Sequence, residues 1–455
     1  MSFSRTATIR GRSYTFHHLK ELMAKASEEK SGDQLAGIAA ADTSERIAAK
    51  LVLSELTLAE IRDNPLLPAE EDEVTRIIES HIDEQVYREI KNWSAAELRE
   101  YILQTSTGGA EIQRLSLGLT SEMIAAAAKL MSNLDLMQAA AKINILTTCN
   151  HTIGQRGVLA GRAQPNHPAD SIRGMKASLY EALSYGIGDA VIGINPVIDT
   201  AHSVKELLLA TKEVMERWKV PTQNCVLAHI TTQMRAIGLG APADMVFQSL
   251  AGTQQGNKAF GIDAALLDEA DELIRREGTG SGPNRWYFET GQGSELSSEA
   301  HAGIDQLTLE ARCYGLARHY KPFMVNTVVG FIGPEYLYDS KQVIRAALED
   351  HFMGKLHGLP MGVDVCYTNH MKADQNDMDN LSVLLASAGV NFLIGVPMAD
   401  DCMLNYQSTS YHDIATVREL QGLRPAPAFE RWLEDMGLME NGRLTGRAGD
   451  AAIFA

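Results

Sequence analysis

The sequence predicts an α/β protein, a (β/α)8 TIM barrel with an N-terminal helical extension and C-terminal helices, and two observations support this fold class. First, short apolar runs alternate with amphipathic helical segments from about residue 155 to residue 396. Second, there are eight such runs, and strands that alternate with helices pair in parallel through right-handed crossovers. A closed barrel takes roughly 250 residues, which fits this stretch better than an open sheet does.

Residues 1–140 are expected to form the N-terminal helical region. Thr57-Leu-Ala-Glu60 and Ser94-Ala-Ala-Glu97 both match the capping box, in which a hydroxyl and a carboxylate satisfy free amides at a helix start. Residues 121–143 carry an Ala- and Met-rich helical pattern. No internal repeat, low-complexity segment or clear flexible linker interrupts the chain.

The barrel is expected over residues 141–411. Its strands are predicted from the apolar runs at 157–162, 190–195, 225–229, 245–249, 286–289, 323–329, 362–367 and 391–396. Periodic helical segments separate them, near 170–185, 203–218, 263–277, 305–319, 341–353 and 377–388, with a short crossover over 230–244. Residues 412–455 are expected to form C-terminal helices, with Pro427 at the first position of one, and a surface tail.

Composition excludes several classes of protein. The formal net charge is −17, so the chain repels a phosphate backbone and no nucleic-acid partner is expected. The chain has neither a signal-peptide pattern nor an apolar run of ~20 residues, so no membrane partner is expected. The five cysteines are scattered and form neither a disulfide framework nor a zinc-type pair. A reduced cytoplasmic protein is the simplest interpretation.

Polar residues recur at the strand ends, where barrel enzymes carry their chemistry. They are Arg162 and Gln164, Asn195, His229, Gln248 and Ser249, Glu289, Asp364, and the pair Asp400 and Asp401 after the eighth strand. Any one could cap the barrel or form a structural ion pair, but so many together are harder to explain that way. The six strand ends before that acidic pair contribute one guanidinium, two carboxylates and three amides, which suit a small ligand with a cationic end and a hydroxyl end.

Several common chemistries lack support in the sequence. None of the 13 histidines forms a zinc-binding pattern, so no protein-bound metal is expected. No Lys lies within a predicted strand, which argues against a Schiff-base aldolase, and there is no Walker or dinucleotide-binding glycine loop. Taken alone, the residues indicate a barrel enzyme acting on a small polar substrate.

Long stretches of the chain resemble the large, catalytic subunits of the ethanolamine ammonia-lyase family. The most specific are Gly161-Arg-Ala-Gln-Pro165, Gly188-Asp-Ala-Val-Ile-Gly-Ile-Asn-Pro196, Tyr287-Phe-Glu-Thr-Gly-Gln-Gly-Ser294, Val325-Asn-Thr-Val-Val-Gly-Phe-Ile-Gly-Pro-Glu-Tyr-Leu337, Leu348-Glu-Asp-His-Phe-Met-Gly354 and Met361-Gly-Val-Asp364. The resemblance spans essentially the whole chain. It implies a TIM barrel that carries out the adenosylcobalamin-dependent radical deamination of ethanolamine to acetaldehyde and ammonia.

The resemblance also implies the roles of particular residues. Glu289, Asp364 and Gln164 would hold the substrate ammonium, Arg162 and Asn195 with Glu289 would hold the hydroxyl, and Phe331 would line the pocket. Glu289, Asp364 and Arg162 would be the catalytic set, with Glu289 taking part in proton transfer. Contacts to adenosylcobalamin would come from Pro196, Gln248, Ser249, Ser297 and Met403. One departure is Ala259, where the family pattern leads us to expect an acidic residue beside the adenosyl group.

Partners follow from the same resemblance. A small subunit would complete the cobalamin site, large subunits would assemble into a homo-oligomer, and the enzyme would work in the cytoplasm or within a bacterial microcompartment. Two alternatives remain open at this point. One is a metal-dependent barrel lyase that uses Glu289, Asp364 and Asp400 as ligands, and the other is a non-catalytic binding or scaffolding barrel.

Overall fold

The N-terminal part of the chain begins with a hairpin that the sequence did not predict. The computed structural model describes residues 3–330, 332–403 and 405–454. Strands Arg5–Ile9 and Arg12–Phe16 pair antiparallel around a turn at Arg10 and Gly11, both with positive φ. Ten helices follow, at Leu19–Ala26, Ser31–Leu35, Thr43–Glu55, Leu58–Arg62, Glu73–Ser80, Glu84–Ile90, Ala95–Leu103, Gly109–Ser116, Ser121–Lys129 and Asn133–Lys142. Both predicted capping boxes are formed.

Eight parallel strands form the barrel and confirm the predicted fold class. In chain order they are Ala160–Ala163, Val191–Ile194, Asn224–Val226, Val246–Ser249, Trp286–Thr290, Met324–Val329, Met361–Val365 and Phe392–Val396. We call them the first to eighth barrel strands. The first pairs with both the second and the eighth, and pairing continues from the eighth back to the fourth. Nearly every residue in them is buried, which is why they read as continuous apolar runs.

The third and fourth strands meet at a seam that has no β-ladder. One backbone hydrogen bond, from Met245 N to Asn224 O at 3.3 Å, crosses it, and side chains supply the other links. At one end Asn224 N donates to Asp244 Oδ2 at 3.1 Å, and Asp244 N donates to Asn224 Oδ1 at 2.9 Å. At the other end Gln233 Nε2 donates to the carbonyls of Ala228 and Phe247, while its Oε1 accepts from Phe247 N at 2.9 Å. The Gln233 side chain thus takes the place of a strand at this seam.

Helices cover the outside of the barrel. The crossovers are Ile172–Ser184, Ala201–Trp218, Ile230–Gly238, Gln254–Ala259 with Ala264–Glu277, Ser294–Ser297 with Gln306–Ala317, Ser340–Leu356 and Gln375–Ser387. The short strands Thr147–Thr148 and Thr152–Ile153 pair before the first barrel strand, and Asp400–Asp401 pairs with Tyr406–Gln407 after the eighth. Thr409–Ser410 then runs parallel to the eighth strand.

Buried ion pairs join the N-terminal helices to the barrel. Lys129 Nζ donates to Asp305 Oδ1 at 2.5 Å, and both side chains are fully buried. Lys30 lies 2.8 Å from Glu349, again with neither side chain exposed. Each pair links a segment before residue 140 to a barrel crossover helix or its N-cap, so the extension and the barrel share one continuous core.

The last described residues, where a surface tail is expected, combine exposed positions such as Arg447 and Asp450 with a buried aromatic side chain. After helices Tyr411–Gln421 and Pro427–Asp435 and the hairpin Met439–Glu440 with Arg443–Leu444, a short 3-10 turn spans Ala451–Phe454. The Phe454 ring is fully buried and stacks on Tyr180 at 5.5 Å between centroids. Aromatic burial of this size anchors a terminus that sequence patterning leaves unassigned. Pro427 opens its helix as predicted.

Candidate active site at the carboxyl ends of the barrel strands

The residues expected to bind substrate gather at one end of the barrel. Arg162 lies within the first strand and Gln164 just after it, Asn195 directly follows the second, and Glu289 and Asp364 lie in the fifth and seventh. All face the mouth formed by the carboxyl ends of parallel strands, where barrel enzymes place their chemistry. Phe331 lies outside the described residues.

Arg162 organises one half of the site. Its guanidinium is buried and donates from Nη2 to Asn195 Oδ1 at 2.7 Å and from Nη1 to Tyr287 Oη at 2.6 Å. Tyr287 Oη in turn donates to Glu289 Oε2 at 3.4 Å, and Arg162 Nη1 lies 3.9 Å from the same oxygen. Because Tyr287 and Glu289 are two residues apart on a strand, both project inward, and the phenol links the cation to the carboxylate.

Asp364 organises the other half. Ser408 Oγ donates to its Oδ1 at 2.6 Å and Tyr406 Oη donates to its Oδ2 at 2.9 Å. Gln164 Nε2 donates to Tyr406 Oη at 3.2 Å, so the phenol joins the amide to the carboxylate. The Asp364 side chain is held by two hydroxyl donors from the segment that follows the eighth strand.

A further buried carboxylate, Asp401, connects the two halves. Its Oδ2 accepts from Gln164 Nε2 and, at 2.8 Å, from Asn166 Nδ2. Asn166 Oδ1 accepts from the backbone N of Asn195 at 2.8 Å. A continuous set of hydrogen bonds therefore runs from the Asp364 half to the Arg162 half.

Burial shapes the charge of this site. Burial raises the pKa of Asp364 to about 6, against the opposing effects of the Ser408 and Tyr406 hydrogen bonds and of Arg162. Burial also raises the pKa of Glu289, with Arg162 acting in the opposite direction and Asp364 adding to the rise. The pKa of Tyr287 is raised well above its ordinary value by burial, so this phenol stays neutral. Both carboxyl groups therefore hold a proton more readily than the same groups do in water.

Five residues of this network were missed by sequence reasoning, Asn166 beside Asp401 and four around the other two carboxylates. Tyr287, Asn326, Tyr406 and Ser408 all contact Glu289 or Asp364, and Asn326 Nδ2 donates to Glu289 Oε2 at 3.2 Å. Asn326 is fully buried and its Oδ1 has no hydrogen-bond partner among the described residues. A signal existed for it, since Asn326 is a polar residue in the middle of an otherwise apolar strand. Tyr406 and Ser408 follow an irregular loop, and no local sequence pattern predicts the path of that loop.

Comparisons with known proteins show the family to which the chain belongs. Residues 14–447 match the family model described as ethanolamine ammonia lyase large subunit (EutB). The ethanolamine ammonia-lyase large subunits of Escherichia coli K12 and of Salmonella typhimurium LT2 are each 55% identical to this chain over 447 residues, covering 98% of it and 99% of the relative. The chain belongs to the family of ethanolamine ammonia-lyase large subunits.

Membership of this family makes the chain an enzyme, a carbon–nitrogen lyase, and sets aside a non-catalytic barrel. Among solved structures, a truncated 3-deoxy-D-arabino-heptulosonate 7-phosphate synthase from Thermotoga maritima aligns with a TM-score of 0.36 and 13% identity, covering 60% of this chain and 88% of that chain. That likeness is too slight to bear on function.

The residues that the ethanolamine ammonia-lyase pattern assigns to the cofactor lie around the rim of the mouth. Pro196 and Ser249 are half-buried after the second strand and at the end of the fourth, Ser297 is exposed after the fifth, and Met403 is half-buried after the eighth. Gln248 is buried and its amide is engaged, with Oε1 accepting from Ile230 N at 3.0 Å and Nε2 donating to Ser249 O at 3.1 Å.

This rim combines polar and apolar groups. The five residues carry no imidazole, so they offer the cofactor short hydroxyls, backbone groups and apolar surface. Val197, Ile198 and Met398, which follow the second and eighth strands, add exposed apolar side chains to the same rim. Ala259 is exposed at the end of helix Gln254–Ala259, after the fourth strand.

The ligand set of the metal-dependent alternative does not assemble. Across residues 3–330, 332–403 and 405–454, no three His, Cys, Asp or Glu side chains come together in a group that could hold a metal ion. Asp400 is exposed and accepts a hydrogen bond from Gln407 Nε2 at 3.3 Å. No helix in the described part of the chain is long and apolar enough to span a bilayer.

Proposed function

We propose that this chain catalyses the adenosylcobalamin-dependent deamination of ethanolamine to acetaldehyde and ammonia, as the catalytic large subunit. The single observation that carries the proposal is the charge of the buried network. Within it lie the three carboxyl groups of Glu289, Asp364 and Asp401 and only one guanidinium, that of Arg162, which offsets part of their negative charge. A buried site with excess negative charge favours a small cation, and the relatives are named for such a substrate.

The two ends of ethanolamine match the two halves of the site. The ammonium would lie against Asp364, Glu289 and the Gln164 carbonyl oxygen, all of which are acceptors. The hydroxyl would lie against Arg162 and the Asn195 amide nitrogen, both of which are donors. Asn195 Oδ1 already accepts from Arg162, which leaves its Nδ2 to donate to a substrate oxygen. Complementary charges in a buried pocket fix both position and orientation.

Glu289 is the residue best placed to move a proton as the amino group leaves its carbon. Tyr287 and Asn326 hold its Oε2 oxygen, which leaves Oε1 for the substrate. Its raised pKa favours partial acceptance of a proton from the ammonium and its return. Asp364, with a pKa of about 6, remains mostly ionised at neutral pH and keeps the nitrogen charged.

The rim residues Pro196, Gln248, Ser249, Ser297 and Met403 would hold adenosylcobalamin across the mouth. When bound, the cofactor supplies the radical chemistry that breaks the substrate carbon–hydrogen bond. The chain's own contribution is to bind ethanolamine, orient it and keep water from the reacting carbon. Phe331 would add apolar surface to the pocket.

A small subunit would complete the cobalamin site, and the relatives' designation as large subunits supports such a partner. Large subunits would associate with one another in the same assembly. The enzyme would work in the cytoplasm or in a bacterial microcompartment.

The proposal is tested by co-expressing the chain with its small subunit and following acetaldehyde after addition of adenosylcobalamin and ethanolamine. We expect cobalamin-dependent acetaldehyde that a metal chelator does not suppress. Glu289→Gln should lower kcat by roughly 100-fold or more, because general acid–base groups typically contribute 10²–10⁴. The matched control Glu272→Gln, at an exposed position of helix Ala264–Glu277, should retain full activity. No acetaldehyde from an assembled, cobalamin-loaded complex would overturn the proposal.

A further inference from the structure

The roles proposed so far leave Asp401 without a function, although it lies where the hydrogen bonds of the site converge. Its side chain is almost completely buried and lies in the short strand Asp400–Asp401, after the eighth barrel strand. Oδ2 accepts from Gln164 Nε2 and from Asn166 Nδ2, and Oδ1 accepts from Met403 N at 2.9 Å. Among the residues that the structure describes, this carboxylate therefore receives three N–H groups, two of them from side-chain amides.

An amide side chain can present either its nitrogen or its oxygen to a ligand, and Asp401 settles this choice for Gln164. An ionised carboxylate only accepts hydrogen bonds, so the Gln164 nitrogen must face Asp401. Nitrogen and oxygen diverge from the amide carbon, so Oε1 points away from Asp401. Rotating the amide by half a turn would bring two oxygens together in a buried site, which carries a desolvation and repulsion cost.

The same reasoning applies to Asn166 and extends to the opposite half of the site. Asn166 Nδ2 must face Asp401, so its Oδ1 accepts from Asn195 N at 2.8 Å. Asn195 Oδ1 then accepts from Arg162 Nη2 at 2.7 Å. The backbone at Asn195, and through it the amide that faces a substrate oxygen, is thus tied to the same carboxylate.

We propose that Asp401 is a positioning residue that sets the selectivity of the site for an ammonium over a hydroxyl. It does so by holding Gln164 with its carbonyl oxygen toward the ligand, beside the acceptors Asp364 and Glu289. An ammonium has three N–H donors and can satisfy all three acceptors, whereas a hydroxyl has one donor and can satisfy only one of them. This inference rests on the proposed function, because it assigns the Gln164 half of the site to the ammonium end of the substrate. Asp401 itself touches Gln164, Asn166 and Met403 and need not touch the substrate.

The test compares two ligands that differ only at the end in question, ethanolamine and ethylene glycol. Their Kd values are measured by calorimetry on the complex with the small subunit, loaded with a cobalamin that lacks the adenosyl group so that no turnover occurs. Asp401→Asn keeps the shape of the side chain but can donate as well as accept, so the Gln164 amide is free to rotate. We expect the Kd for ethylene glycol, divided by the Kd for ethanolamine, to fall by about tenfold or more. A general structural defect would weaken both ligands and leave the ratio unchanged.

Asp400→Asn is the matched control, since it makes the same change one residue away at an exposed position that bonds only to Gln407 in the contacts described above. It should leave both Kd values unchanged. Tyr406→Phe is a second probe that removes the other acceptor of Gln164 Nε2, and it should shift the ratio in the same direction by a smaller factor. If Asp401→Asn does not fold, Tyr406→Phe tests the positioning role in its place.

The outcomes separate this inference from the proposed function. If the wild-type complex binds ethanolamine no better than ethylene glycol, the proposed function fails. If the wild type is selective and the folded Asp401→Asn variant keeps the wild-type ratio, the positioning role is overturned. If only Tyr406→Phe folds and it keeps the wild-type ratio of Kd values, the positioning role is likewise overturned.

Discussion

At the scale of single residues, Arg162 depends on a glycine of the neighbouring strand. A Cβ added to Gly193 would lie 2.6 Å from Arg162 Nε and 3.4 Å from its Cδ and Cζ atoms. Real Cβ atoms do not approach a heavy atom so closely, so the guanidinium lies where only glycine leaves room for it. The backbone at Gly193 does not have a positive φ, so the requirement is for space and not for a special conformation.

Gly193→Ala should therefore damage function more than stability. Displacing the guanidinium disturbs its bonds to Asn195 and Tyr287, and we expect kcat/KM for ethanolamine to fall by about tenfold or more. Gly238→Ala is the control, because a Cβ there meets nothing within 4 Å and should be neutral or slightly stabilising. Steady-state kinetics and thermal unfolding of both variants measure the two effects, and unchanged kinetics in Gly193→Ala would contradict this account.

Sequence reasoning could identify the residues of the site that stand at strand ends. It missed the residues that form hydrogen bonds to those side chains. Arg162, Glu289 and Asp364 stand out because charged residues interrupt buried apolar strands. Asp401 was noted only as half of an acidic pair after the eighth strand. Its function depends on which way a loop turns, and hydrophobic periodicity holds no information about that.

At the scale of elements, the loops after the fourth and fifth strands are tied together by one carboxyl group. Glu295, in the short helix Ser294–Ser297, accepts a hydrogen bond from Gly252 N across the two loops. Its side chain is buried, and burial raises its pKa from 4.5 to about 7, against the effect of the Gly252 amide. This pair of loops holds part of the mouth in place beside Ser249 and Ser297.

Glu295 should make stability depend on pH between about 5 and 7. The folded chain binds this proton more tightly than the unfolded chain, so the contribution is complete below 4.5 and is lost as pH rises through about 7. Glu295→Gln keeps the acceptor for Gly252 N and removes the titration. The loss of unfolding free energy between pH 5 and pH 8 should shrink by on the order of 2 kcal/mol, measured by urea denaturation. Glu272→Gln should leave that loss as it is in the wild type.

The barrel strands were predictable because burial on both faces makes them continuous apolar runs, while the N-terminal hairpin was missed. Only Ala7, Tyr14 and Phe16 of its ten strand residues are buried, so its alternation is weak. Gly11 was the available signal, because tight two-residue turns between strands need positive φ and glycine adopts it readily. The predicted helical stretch 121–143 is interrupted before Asn133, where Ser132 caps a new helix.

At the scale of the whole molecule, buried charge holds the N-terminal region on the barrel. Lys129 reaches Asp305 and Ser27 in a fully buried cluster, and Arg312 reaches Asp72 and Glu122 close by. Pairs of this kind are expensive to disrupt, because removing one partner leaves an uncompensated charge in a medium of low polarity. They make the extension a structural part of the enzyme.

Lys129→Met should therefore destabilise the whole chain. It leaves Asp305 buried beside Ser27 without its cation, and we expect a loss of about 3 kcal/mol in unfolding free energy. Adding Asp305→Asn should recover part of that loss, because the unpaired charge is then removed. Denaturation monitored by far-ultraviolet circular dichroism measures both variants. A stability for Lys129→Met equal to that of the wild type would contradict the role given to this pair.

The seam between the third and fourth strands has a mechanical consequence. Elsewhere neighbouring strands are joined by ladders. Here a single backbone bond, from Met245 N to Asn224 O, is supplemented by the rotatable side chains of Gln233, Asn224 and Asp244. Hydrogen bonds made by rotatable side chains deform more easily than a backbone ladder. Any change in the circumference of the barrel is therefore expected mainly at the seam between the third and fourth strands. Because the fourth strand also carries Gln248 and Ser249, widening there would move part of the rim while the strands bearing Arg162, Glu289 and Asp364 kept their spacing.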